Sequence, residues 1–256
     1  MMNQLAQIPL AQRVRPKSLD EVIGQTHLLG ANAPIRRIVE QGYLPSIILH
    51  GEAGIGKTTL AMLLADAVGR PFRPLSAINA GVKELREVLA KDDGLFGEPP
   101  VVFVDEIHRF NKAQQDALLP YVESGVVTFI GATTENPSFE VNAALLSRAQ
   151  VYVLHSLTAE ELTTLAVRAL HTALPHLSYD PATLPLWVAH ADGDARRLLN
   201  LLAQTDAAAR ASQHSHLTAE FVQAALSQTG RRFDKGGDAF YDQISALHKS
   251  VRGSDP

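Results

Sequence analysis

The stretch Gly51-Glu52-Ala53-Gly54-Ile55-Gly56-Lys57-Thr58 is a complete G-x-x-x-x-G-K-[ST] pattern, and its surroundings decide the fold. The apolar run Ile47-Ile48-Leu49 precedes it, and Leu60 to Val68 after it reads as a helix. A strand that ends in a glycine-rich loop and feeds a helix is built to hold phosphates. Glycines let backbone N–H groups wrap the anion, and the helix turns its positive N-terminal end toward it. At average residue usage the bare pattern would arise by chance in roughly one chain in a hundred of this length. The flanking strand and helix make chance rarer still. The stretch implies a bound nucleoside triphosphate, with Lys57 and Thr58 at its phosphates.

Composition narrows the class. A chain of 256 residues, 46% of them hydrophobic, has material for one large domain or two modest ones. It has no cysteine, so disulfides and thiolate metal sites are excluded. No long unbroken apolar run occurs, and Met1 to Leu10 lacks the basic-then-apolar form of a secretory signal, so the expected compartment is the cytoplasm, with no membrane partner. The net charge of −4 means that any nucleic-acid contact must come from a local basic face or a ring of subunits.

Working outward from the loop, strand-like runs (Ser46–His50, Phe72–Leu75, Val101–Val104, Val126–Ala132, Val151–Leu154) alternate with helical ones (Val82–Leu89, Lys112–Glu123, Ala143–Ser147). Such alternation predicts an α/β fold, a parallel five-stranded sheet with helices on both faces and the loop at the carboxyl end of a central strand. The pattern changes after Leu154. Thr158-x-x-Glu161 is a capping box opening a helix through His171, and Asp180-Pro181 opens a second. Two more span Ala195–Arg210 and Thr218–Gln228. The expected division is therefore a nucleotide-binding core over 1–155, a small all-helical lid over 156–230, and a further helix in 231–256 whose apolar face (Phe240, Ile244, Leu247, Val251) has nothing after it to pack against.

Val101-Val102-Phe103-Val104-Asp105-Glu106 is the second chemical motif. Four apolar residues make a buried strand, and the acidic pair emerges at its carboxyl end. Downstream of a phosphate loop, Asp105 together with Thr58 places Mg²⁺, and Glu106 polarises a water for in-line attack. A tandem Asp-Glu favours hydrolysis over transfer to a dedicated acceptor. Other features are set aside: His214-x-His216 lies in a polar loop without a third ligand, Trp187 reads as core, His108 either couples the site to a partner or caps a neighbouring helix, and Arg36-Arg37 reads as a solvated helix face.

The two motifs followed by a helical lid resemble the AAA+ ATPases. Arg13-Val14-Arg15-Pro16-Lys17-Ser18-Leu19-Asp20-Glu21-Val22-Ile23-Gly24-Gln25 is similar to the adenine-pocket segment of the clamp-loader and branch-migration subgroup. His108-Arg109-Phe110-Asn111-Lys112 with Gln114-Gln115-Asp116, Gly131-Ala132-Thr133-Thr134-Glu135-Asn136-Pro137-Ser138-Phe139-Glu140, and the segment from Phe240-Tyr241-Asp242 to Val251-Arg252-Gly253 narrow the resemblance to the replication-associated recombination protein A family. The resemblance implies ATP and Mg²⁺ as cofactors. It puts the nucleotide against Arg15, Val22, Ile23, the loop from Gly51 through Glu52, Ala53, Gly54, Ile55, Gly56, Lys57 and Thr58, and Thr59. It gives Thr134 a sensing role at the γ-phosphate, with Asn136 as rival. It makes Arg148 an arginine finger acting on a neighbouring subunit and Arg196 a lid sensor. The loop departs from the family at Glu52, Ala53 and Ile55, where two prolines and a threonine are usual.

The activity so implied is DNA-dependent ATP hydrolysis at stalled or damaged replication forks, coupled to remodelling of DNA or protein–DNA assemblies. Single-stranded, gapped or forked DNA is the expected partner, with single-strand-binding protein or polymerase and clamp components beside it. The family forms homo-oligomers through a helical region beyond position 256, so this chain is expected to be truncated and largely monomeric. A clamp-loader subunit, a Holliday-junction branch-migration motor, or an ATP-binding interaction module with little hydrolysis are the alternatives; Glu106 argues against the last.

Overall fold

The structure is a computed structural model that describes residues 8–77 and 99–233, with side chains described through residue 227. The expected helices at 82–89 and 238–251 lie outside the described residues, as does the family-like segment 240–253. The N-terminal segment contains α1 (Leu10–Arg13), a 3-10 turn (Leu19–Glu21), α2 (Thr26–Leu29) and α3 (Pro34–Glu40). Next come β1 (Ile47–His50), α4 (Lys57–Ala67), β2 (Phe72–Ser76), β3 (Val101–Asp105), α5 (Lys112–Glu123), β4 (Thr128–Thr133), α6 (Pro137–Glu140), α7 (Ala143–Leu146) and β5 (Gln150–Val153).

The five strands form one parallel sheet in the order β2-β3-β4-β1-β5. Alternate residues serve opposite faces. Ile47, Leu49, Phe103 and Ile130 pack with Leu60 and Leu64 of α4. Ile48, Val102, Val104 and Phe129 pack with Leu118 of α5 on the other face. Both faces are covered, which is why these strands read as continuous apolar runs. In parallel order, all the strands point their carboxyl ends the same way. The phosphate loop after β1, Asp105 and Glu106 at the end of β3, and Thr133 at the end of β4 therefore gather along one edge.

The helical region follows with α8 (Ala159–Ala173), β6 (Ser178–Tyr179), a 3-10 turn (Pro181–Thr183), α9 (Leu184–Ala191), α10 (Ala195–Ala211), β7 (His216–Leu217) and α11 (Ala219–Phe233). The capping box at its start is present: Thr158 accepts from the Glu161 amide at 3.2 Å, and Glu161 accepts from the Thr158 amide at 2.8 Å. Leu162, Leu165, Ala166, Ala169 and Leu170 recur at helical spacing and are buried. Trp187 is fully buried and donates to Thr205 Oγ1 at 3.1 Å, so it is core, as its sequence context suggests. Leu10 and Val14 belong to this same apolar cluster, so the chain's N-terminal turn packs on the helices that come last rather than on the sheet.

Several local expectations need correction. The helix after the loop starts at Lys57, earlier than Leu60, because Gly56 takes a left-handed conformation (φ 100°) and serves as its N-cap. β4 is shifted toward Thr133: Val126 stays 53% exposed and outside the strand. The helical region is interrupted by a short parallel pair, β6 with β7. Asp180 opens a 3-10 turn without capping it through its side chain; its carboxylate meets His216 at 3.0 Å instead, while His214 turns to the Ser212 carbonyl. Arg36 is also not simply solvated, since its side chain is 20% exposed and pairs with Asp20 at 2.6 Å. Among the described residues, no helix is long and apolar enough to cross a membrane.

Candidate functional site

The loop is fixed at both ends by backbone geometry. Gly51 donates its amide to Thr133 O at 3.1 Å, and a Cβ there would lie 2.6 Å from Leu154 O. Gly54 takes φ 74°, and a side chain on it would run into the Asp194 carboxylate at the start of α10. Arg196 donates its amide to Gly54 O at 3.3 Å, so the loop is docked directly on the first turn of a lid helix. Ile55, an apolar departure from the family pattern, is 6% exposed and packs into the sheet core, whereas Glu52 and Ala53 are exposed.

Lys57 is 7% exposed and donates from Nζ to Gly51 O at 2.6 Å and Glu52 O at 2.7 Å. Burial pulls its pKa below 10.5, opposed by the carboxylates of Glu106, Asp105 and Glu52 and reinforced by Arg196. Those causes place both acidic residues of the second motif, and the lid arginine, within electrostatic reach of the loop lysine. Glu106 stands at φ 56°, a left-handed position that usually belongs to glycine, and its Oε2 lies 3.1 Å from His108 Nε2. His108 Nδ1 in turn meets Thr133 Oγ1 at 3.0 Å.

A cavity of about 330 Å³ joins these groups. Ala53 to Leu60 of the loop and helix, Asp105 and Glu106, Arg15, Val22 and Ile23 of the N-terminal segment, and Arg196 of the lid all line it. Val14, from the same N-terminal segment, lines it as well, and so do residues that sequence reasoning passed over: Ala11, Leu165, Arg168 and Leu199. Gly51 and Glu52 shape the loop without lining the cavity. Thr134 lies just beyond β4 and is likewise not in the lining, while the Thr133 hydroxyl beside it bonds to His108 and to Glu135. Asn136 spends its side-chain oxygen on the Ser138 amide at 3.0 Å, as the cap of α6. Arg148 is outside the cavity: its guanidinium pairs with Glu123 at 2.7 Å and donates to Ala144 O at 2.8 Å.

The donor set suits a hard cation. Thr58 and Asp105 offer a hydroxyl and a carboxylate to one cavity. Among the described residues there is no cluster of three or more His, Cys, Asp or Glu that would hold a metal unaided. Few protein ligands beside a phosphate loop is the pattern of Mg²⁺, which keeps waters and takes its remaining ligands from the substrate's phosphates.

Two family models match the chain: the ATPase family associated with various cellular activities (AAA) over residues 47–157, and the AAA C-terminal domain over residues 173–252. Replication-associated recombination protein A of Coxiella burnetii is 49% identical over 255 residues, which is 97% of this chain and 58% of that protein. Its counterpart in Escherichia coli K12 is 46% identical over 257 residues, again 97% and 58%. Over nearly its whole length the chain is similar to the AAA ATPases of the replication-associated recombination protein A family. ATPase WRNIP1 of Dictyostelium discoideum is 43% identical over 96% of this chain and 31% of its own length. The chain thus spans a little under three fifths of the bacterial family members that it matches. Among solved structures, the Thermotoga maritima RuvB Holliday junction branch migration motor superposes with a TM-score of 0.70 at 26% identity, covering 84% of this chain and 73% of that one. The shared fold is the parallel sheet with its phosphate loop and the helical region beyond it.

Proposed function

We propose that this chain hydrolyses ATP in the cavity between sheet and lid and uses the cycle to remodel DNA or protein–DNA assemblies during replication-linked recombination and repair. The observation that carries it is the convergence of Lys57, Thr58, Asp105, Glu106 and Arg196 on one cavity floored by the phosphate loop. In this scheme loop amides and Lys57 hold the β- and γ-phosphates, and Thr58 with Asp105 would hold Mg²⁺. The ion, when bound, supplies positive charge across the phosphates. Glu106 takes the proton of the attacking water, held in place by His108. Thr134 senses the γ-phosphate, a role for which the capping duty of Asn136 leaves that residue less free. Arg196 carries the phosphate state to α10, whose first turn already bonds the loop. Arg148 completes a neighbouring subunit's site.

The division of labour in this scheme puts the nucleotide-binding core in residues 1–155, the lid in 156–230 and the start of a further helical unit in 231–256. The setting is the cytoplasm, at the nucleoid, in a homo-oligomer on single-stranded, gapped or forked DNA, with single-strand-binding protein or polymerase and clamp components as protein partners. Identities of 45–49% to replication-associated recombination protein A of several bacteria, against 26% to the RuvB motor, favour this over a branch-migration function. Steady-state ATP turnover with and without single-stranded, gapped and forked DNA tests it. Stimulation by at least one of these DNA forms is expected; turnover indifferent to all three would remove DNA from the scheme.

A further inference from the structure

Thr133 ends β4 and is fully buried, with Thr134 next to it in the chain. Its carbonyl accepts from the Gly51 amide at 3.1 Å, which ties it to the start of the phosphate loop. Its hydroxyl meets three groups: the Glu135 amide at 3.0 Å, the Glu135 carbonyl at 3.1 Å and His108 Nδ1 at 3.0 Å. The other ring nitrogen of His108, Nε2, is the one 3.1 Å from Glu106 Oε2. Glu106, His108 and Thr133 therefore form one chain of contacts, running from the proposed base to the strand end that holds the loop.

Counting protons decides how this chain of contacts works. A hydroxyl has one proton to give, and a neutral imidazole has one N–H and one bare nitrogen. The Glu135 amide can only donate, so Thr133 Oγ1 accepts from it. The Glu135 carbonyl and His108 Nδ1 then compete for the single hydroxyl proton. If the carbonyl takes it, Nδ1 must carry the ring proton and donate to Oγ1. A bare Nε2 would then face a carboxylate that has only lone pairs to offer. If Nδ1 takes it, Nε2 carries the ring proton and donates it to Glu106. Only the second arrangement makes both contacts of a neutral ring into hydrogen bonds. The partner of one ring nitrogen thus sets what the other can do.

We propose that Thr133 is a positioning residue for hydrolysis: its hydroxyl donates to His108 Nδ1, fixes the Nε2–H tautomer and so aims the Glu106 carboxylate. This rests on Glu106 being the base and names what orients it. Thr133 acts through His108 and stands apart from Thr134, the residue assigned to the γ-phosphate. Because the Thr133 carbonyl holds Gly51, one residue sets both the start of the phosphate loop and the direction of the base.

Two measurements test it. In the native chain with ¹⁵N-labelled histidine, the ring nitrogen resonances of His108, assigned by their loss in His108→Phe, should report the Nε2–H tautomer. An Nδ1–H ring or a doubly protonated one at the pH of the turnover assay overturns the proposal. The second measurement is turnover. Thr133→Val keeps the shape and loses the hydroxyl; it should lower kcat at least about tenfold, the scale of one hydrogen bond to a functional group, with KM for ATP changed by less than about twofold. Thr133→Ser should recover most of that loss. In a His108→Phe background, Thr133→Val should cost nothing further, since both changes break the same chain of contacts. An unchanged kcat in Thr133→Val, a loss that falls on KM, or full additivity of the two changes overturns the proposal and leaves Thr133 as a cap on the Glu135 backbone. Full turnover by Glu106→Gln would instead refute the base that Thr133 serves.

Discussion

At the residue scale, Lys57 and Glu106 separate binding from chemistry. Lys57 is buried against its own loop carbonyls and is the cation nearest the expected phosphates, so Lys57→Ala should remove measurable ATP binding by calorimetry. Wild-type affinity in that variant would displace the site. Glu106→Gln keeps size and loses the base. It should bind ATP with near-native affinity and hydrolyse it at least about a hundredfold more slowly in single-turnover assays. Retained turnover would move the base elsewhere. These residues were legible because their spacing is local and their chemistry is tied to a loop. Thr133, His108 and Arg168 were not legible, since each gains meaning from a partner distant in sequence. Thr133 Oγ1 meets His108 across 25 residues, and Arg168 meets Glu21 O across 147. His108 could be seen beside the acidic pair, but only its 3.1 Å approach to Glu106 distinguishes a positioning role from a helix cap.

At the scale of elements, periodicity and capping located the sheet strands and most helices of the described region, because burial on both faces and reciprocal caps leave local marks. What periodicity missed was set by long-range contact. The pairing of Ser178–Tyr179 with His216–Leu217 joins two residues on each side, too few for a pattern. The packing of Leu10 and Val14 on the lid is invisible in a sequence that places them 140 residues and more before their neighbours Leu157 and Leu162. The lid's own cohesion centres on Trp187, fully buried between α8 and α10 with its indole N–H satisfied by Thr205. Trp187→Ala removes that volume and the indole's bond to Thr205, whose hydroxyl keeps only its bond to Leu201 O. It should cost about 3–5 kcal/mol of stability, measured as a lowered denaturant midpoint. A shift of less than about 1 kcal/mol would show that the lid contributes little to the unfolding transition.

At the scale of the whole molecule, the site contains its phosphate loop, acidic pair and lid arginine, but Arg148 is elsewhere. It closes the short helix α7, anchored to Glu123 and to the Ala144 carbonyl, with its side chain 39% exposed. In the proposed scheme this arginine serves catalysis by projecting into an adjacent copy's cavity, where such a finger is worth about 10³–10⁵ in rate. Turnover per chain should then rise with protein concentration, since dilution separates the donor of the finger from the acceptor. Mixing supplies a sharper discriminator. Arg148→Ala protein keeps an intact Glu106, and Glu106→Gln protein keeps an intact Arg148; each alone should be nearly inactive. In a mixed assembly, interfaces that pair the first protein's cavity with the second protein's finger are complete, so activity should partly return. Light scattering across the same dilution series reports whether copies associate as the rate rises. Concentration-independent turnover, full activity of Arg148→Ala, and no recovery on mixing would together reduce Arg148 to a helix-end residue paired with Glu123.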